Sequence, residues 1–157
     1  KKFLKHKMEL KELYQDIILE HGKNPRNKGK CDKFNRDAKA YNPLCGDKVH
    51  IYLKLNKEKK VEDLSFEGEG CAISLASASI LTDTIKGKDF NTAKKIINEF
   101  LSMIKKTSNI NIDSLNEDQK ITIMSLSGVK KFPMRVKCAT MAWHTLIFAL
   151  EGKKTNE

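Results

Sequence analysis

Four cysteines and one aspartate carry most of the chemistry this sequence offers. Cys45 and Asp47 stand two positions apart in NPLCGD, Cys71 follows two glycines in EGEGCAIS, Cys138 lies in VKCATMAW, and Cys31 sits upstream in a polar stretch. Thiolates and carboxylates bind divalent ions, and a thiolate is also a nucleophile. Cys45, Asp47, Cys71 and Cys138 are the candidate ligands, although their spacing lacks the paired CxxC knuckles of zinc fingers and ribbons. Each also has a plainer reading, since cysteine packs as a small hydrophobe and an aspartate after glycine is often a turn residue. Cys31 is read as a packed or spare thiol. Two disulfides are the other use of four cysteines. Against them, the start KKFLKHKMELKEL lacks the apolar stretch and small-residue cleavage site of a secretory signal, and the chain has enough length for a core without staples. Metal or redox chemistry in the cytoplasm is the expectation.

The elements that must position these residues follow from periodicity. Leu10, Leu13, Tyr14, Ile17 and Ile18 recur at helical steps over 3–21, predicting a helix with one buried face that Gly22 ends. KNPRNKGK is turn chemistry, and the chain from there to Tyr41 reads as loop or edge strand. Val49, Ile51, Leu53 and Leu55 alternate with His50, Tyr52 and Lys54, as in a half-buried strand, and VEDLSFEG returns after NKEKK to make a hairpin. Cys45 and Asp47 precede that strand. An extended backbone there would point residues i and i+2 to one side, so thiolate and carboxylate would converge.

Gly68 and Gly70 permit a sharp bend, and the small residues from Ala72 to Ile85 suit a close-packed helix that Gly87 ends, placing Cys71 at a helix start where the dipole favours thiolate. Asp89 is suited to cap a helix with the stripe Ala93, Ile96, Ile97, Phe100, Leu101 and Ile104. Asn116 and Gln119 have capping-box spacing, and a long last helix is expected from Pro133 to about Leu150, with Arg135 and Cys138 on one face. The sum is one small α+β domain over 1–157, an antiparallel sheet packed against several helices.

The net charge of +10 raises nucleic acid as a partner. Only Arg26, Arg36 and Arg135 among 30 basic residues are arginine, and the lysines are scattered, so a solvated exterior is the better account. No apolar run is long enough to span a bilayer. His6, His21, His50 and His144 adjoin no cysteine and read as surface or satisfied core residues, and Trp143 reads as a core anchor.

Four separated segments, LYQDIILEHGKNPRNKG, NPLCGD, EGEGCAISLASAS and FPMRVKCATMAW, resemble, in order, the U-type iron–sulfur cluster assembly family, and specifically its SufU branch. The resemblance implies the IscU/SufU-like fold, with Cys45, Asp47, Cys71 and Cys138 meeting at one metal. In the scaffold branch a histidine directly precedes the third cysteine, after a Leu-Pro-Pro-Val-Lys stretch. Here that position is Lys137 and the stretch is absent. Residues 89–109 look like the helical insertion of the SufU branch, and Arg135 fits its pattern. The resemblance therefore implies a zinc-dependent sulfurtransferase that accepts persulfide sulfur from a SufS-type cysteine desulfurase. It would pass that sulfur to a downstream acceptor or cluster scaffold.

Three thiolates and a carboxylate on Zn²⁺ carry a formal charge of −2, for which Arg135 is the candidate electrostatic support. The resemblance makes Cys45 the sulfur acceptor, leaving the metal as a histidine of the desulfurase replaces it. Two other readings stand beside this one. The same residues could hold a transient [2Fe–2S] cluster in a scaffold, or the chain could be a basic binding module with a structural zinc.

Overall fold

The computed structural model describes residues 2–106 and 113–153. Helix α1 (Lys2–Lys23) leads through a polar loop to three strands, β1 (Arg36–Asn42), β2 (Asp47–Leu55) and β3 (Val61–Glu69). Helices α2 (Ala72–Ile85), α3 (Phe90–Lys105) and α4 (Glu117–Met124), a 3-10 turn over Ser125–Lys131 and helix α5 (Pro133–Leu150) follow. The strands form an antiparallel meander in the order β1-β2-β3, with Ala40 opposite Val49 and Ile51 opposite Phe66. This is the α+β architecture expected. The segment left between loop and edge strand is the edge strand β1.

Alternation gives the sheet one apolar face, Ala38, Ala40, Val49, Ile51, Leu53, Leu64 and Phe66, all buried. Helix α5 packs against β1 and β2, and α2 against β3, α1 and α5. Trp143 of α5 is fully buried, stacks on Phe100 of α3 at 3.8 Å between ring centroids, and donates Nε1–H to Ser77 Oγ at 2.9 Å. The indole therefore joins three helices with its polar atom satisfied. Asp89 accepts from Thr92 N–H to start α3, and Asn116 and Gln119 form the reciprocal capping box of α4. The stretch 89–109 is α3 as far as Lys105, and residues 107–109 lie outside those described.

Three expectations need correction. Gly22 does not end α1, which continues to Lys23. The apolar face of α1 is also covered only in part: Leu10 and Leu13 stay exposed, and Tyr14, Ile17 and Ile18 are half-buried. Along α3 the stripe turns slightly, so Met103 is fully buried and Leu101 only half. The 3-10 turn before α5 carries no periodic signal and was not foreseen. Among the described residues no helix is long and apolar enough to cross a membrane.

On the other face of the sheet His50 Nε2 meets Asp37 Oδ2 at 2.7 Å, and its Nδ1 meets the Tyr52 hydroxyl at 2.9 Å. That hydroxyl donates to Glu67, and burial with this carboxylate contact pushes the phenol up to about 12. Buried His21 pairs through Nδ1 with Ser79 Oγ at 2.7 Å, so both histidines are satisfied within the fold.

Candidate metal centre

The centre lies where the tip of the β1–β2 hairpin, the start of α2 and the second turn of α5 meet. Residues 43–46 form a turn rather than an extended strand, closed by Gly46 N–H donating to the Asn42 carbonyl at 2.8 Å. Gly46 has φ +72, a conformation glycine adopts without steric cost. Cys45 and Asp47 thus converge through a tight reversal, not through strand alternation as expected. Asp47 then opens β2 with its side chain on the inner face, fully buried.

Cys71 is the N-cap of α2, with φ −74 and ψ 164, as its position after the glycines suggested. Its backbone N–H donates to Asp47 Oδ1 at 2.9 Å, which anchors the carboxylate to the helix start. This approach requires Gly70, which has φ +151. A Cβ built there would lie 2.1 Å from Asp47 Oδ1 and 2.8 Å from Ser74 Oγ. Cys138, buried in α5, places its sulfur 3.5 Å from that of Cys45.

Ligand atoms of Cys45, Asp47 and Cys138 all lie within 4.8 Å of one another. Cys71 falls outside that set, though it lies near enough to act on the Cys138 thiol. Burial first, then the contacts with Asp47, Cys45 and Cys71, pushes that thiol well above the ordinary cysteine range. All four cysteines are free thiols.

The donor set suits a tetrahedral ion. Zn–S bonds of about 2.3 Å require sulfurs roughly 3.8 Å apart, close to the separation seen between Cys45 and Cys138. Among the described residues Asp47 Oδ2 is buried without a hydrogen-bond partner, a costly state for a carboxylate that a cation would relieve. Sulfur and oxygen ligands of this kind fit zinc and also iron–sulfur clusters.

Arg135 is exposed in the first turn of α5. It lines an apolar groove with Tyr14 and Ile18 of α1 and with Val129 and Phe132, and among the described residues its guanidinium makes no ion pair. Lys137, where the scaffold pattern has histidine, is also exposed. Cys31 is buried away from the cluster, its thiol pushed up by burial. One residue escaped the sequence reading. Asn42, at the end of β1, is buried directly opposite Asp47. Its place in the Asn-Pro pair that opens the cysteine turn was the available signal.

Residues 13–139 match the NifU-like N-terminal domain. The chain is 44% identical over 135 residues to the zinc-dependent sulfurtransferase SufU of Bacillus subtilis, covering 85% of this chain and 86% of that protein. It is 36% identical over 142 residues to the iron–sulfur cluster assembly scaffold protein IscU of Streptococcus pyogenes, covering 90% and 85%. A crystal structure described as a SUF-system iron–sulfur cluster assembly scaffold protein from Fervidobacterium islandicum superposes with TM-score 0.71 at 31% identity, over 85% of this chain and 93% of that one. By the family match and these relatives, this chain belongs to the NifU-like N-terminal domain family, the family of IscU and SufU.

Proposed function

We propose that this protein is a zinc-dependent sulfur acceptor for a cysteine desulfurase, acting in iron–sulfur cluster assembly, with Cys45, Asp47, Cys71 and Cys138 as ligands. The observation that carries the reading is the convergence of Cys45, Asp47 and Cys138, whose ligand atoms lie within 4.8 Å of one another, together with an Asp47 oxygen that is buried and, among the described residues, unpartnered. The 44% identity to a protein named a zinc-dependent sulfurtransferase supports it, as does Lys137 at the scaffold histidine position.

Zinc, when bound, keeps thiols deprotonated at neutral pH without redox activity of its own. Cys45 is the acceptor because it alone of the three is carried by a turn, where side chain and backbone can swing, and it is part-exposed. Cys138 is held inside α5 and Cys71 at the cap of α2. The Cys45 thiolate attacks the outer sulfur of the donor persulfide. A new S–S bond forms at Cys45 as the donor's S–S bond breaks, the electron pair leaves on the donor cysteine as thiolate, and the sulfur moves with no net oxidation. Arg135, one turn before Cys138, is the proposed cation that tempers the negative shell, screened by its exposure.

The identity to proteins named IscU scaffolds favours a second reading, in which the same residues hold a [2Fe–2S] cluster in transit. Incubation with a cysteine desulfurase and cysteine separates the two. The acceptor reading expects stimulated desulfurase turnover that Cys45→Ala abolishes while folding persists. Full stimulation by Cys45→Ala would overturn it, and anaerobic reconstitution of a transferable cluster would favour the scaffold.

A further inference from the structure

An open groove of about 500 Å³ runs between α1 and the segment that joins the 3-10 turn to α5. Leu10, Tyr14 and Ile18 line it from α1; they stand four residues apart and so share one face of that helix. Phe132 and Arg135 line it from the start of α5. The groove also reaches the metal centre. Its lining includes Ile73, two residues after Cys71, and Arg135 stands one turn before Cys138. Large apolar side chains stay uncovered here: Leu10 is 39% exposed, Phe132 59%, and Met134 in the same turn as Arg135 57%. Apolar surface grouped in this way marks a place that a partner covers.

Charge says what kind of partner. Among the described residues the charged groups lining the groove, Lys11 and Arg135, are both cations. Lys130 and Lys131 close the 3-10 turn just before Phe132, and Lys137 is exposed one turn further on. None of these five makes an ion pair among the described residues. Phe132 begins α5 without a side-chain cap, so the first N–H groups of that helix add to the positive field. A second copy of this chain would set cations against cations, and nucleic acid would leave the apolar lining unfilled. Leu10 and Ile18 lie about 12 Å apart along α1, which matches two turns of a docked helix. We infer that the groove docks the sulfur donor, receiving from the cysteine desulfurase an amphipathic helix with apolar side chains on one face and carboxylates beside them. Leu10, Tyr14 and Phe132 take the apolar side chains, while Lys11 and Arg135 meet the carboxylates. Docking there holds the donor beside the metal centre, within reach of Cys45. The inference rests on the acceptor reading given above.

Calorimetric titration of the zinc-loaded protein into a cysteine desulfurase, with cysteine left out, reads docking without sulfur transfer. Lys11→Glu and Phe132→Asp should each weaken binding roughly tenfold or more, at unchanged zinc content and melting temperature. Wild-type binding should weaken as salt rises. Leu10→Asp gives the same reading if Phe132→Asp does not fold. Benzoylphenylalanine in place of Phe132 should cross-link, on illumination, to an acidic amphipathic helix of the desulfurase. Unchanged affinity in Lys11→Glu and Phe132→Asp, or a cross-link to a second copy of this chain, would overturn the inference while leaving the acceptor reading intact. A desulfurase that neither binds the wild-type protein nor loads Cys45 once cysteine is added would overturn the acceptor reading, and the inference with it.

Discussion

Replacing Gly70 by alanine probes the link between backbone and metal centre most sharply. The new methyl would meet Asp47 Oδ1 at 2.1 Å and Ser74 Oγ at 2.8 Å, far inside any tolerated contact, at a residue whose φ of +151 disfavours a side chain. Backbone strain of this kind costs about 1–3 kcal/mol. Driving the carboxylate away also breaks its bond from Cys71 N–H, a charge-assisted bond contributing about 1.5–3 kcal/mol. The sum, about 2.5–6 kcal/mol, corresponds to a fall in melting temperature of roughly 5–25 °C for a domain of this size. Thermal melts of the metal-free protein measure this, and chelator competition should show weaker zinc binding because Asp47 no longer faces the sulfurs. A Gly70→Ala protein melting within about 2 °C of wild type with unaltered zinc affinity would refute the claim that Gly70 admits Asp47 to the centre.

Trp143→Ala should cost about 3–5 kcal/mol in denaturant unfolding, since it empties a fully buried site and orphans Ser77 from its indole donor. Burial lowers the pKa of His21 below its ordinary value, and burial does the same for His144. Both therefore stay neutral in the fold while the unfolded chain protonates near pH 6.5. Stability of the metal-free protein should then decline as pH falls below about 6.5, with a shallower decline in His21→Asn; a melting temperature flat from neutral to mildly acidic pH would contradict this. Cys31→Ala should leave zinc stoichiometry and sulfur loading unchanged, as measured by mass spectrometry, because Cys31 lies away from the cluster.

Much of the fold was legible because local signals were strong. The alternation from Val49 to Leu55, the glycine pair before Cys71, Asp89 as a cap and the Asn116–Gln119 box each specify an element within a few residues, and each element formed where expected. What escaped depends on contacts distant in sequence. The apolar residues of α1 give no sign that Leu10 and Leu13 stay uncovered, since that is decided by how α2 and the 3-10 turn pack beneath them. The reversal at 43–46 likewise replaces an extended path because Asn42 and Gly46 close it. Motif resemblance named the four ligand candidates, but not Asn42, whose significance appears only when β1 is paired with β2 in register with Asp47. Nor could spacing reveal that Arg135 stands over the groove beside α1, exposed, rather than against a thiol.

The account turns on one metal held by three sulfurs and a carboxylate, with Cys45 free to take a sulfur atom. Native mass spectrometry of the protein after incubation with a cysteine desulfurase and cysteine, followed by peptide mapping, tests this directly. One zinc per chain and a single added sulfur located on Cys45 is the expected result. Protein without zinc, or sulfur carried on Cys31 with Cys45 unmodified, would contradict it.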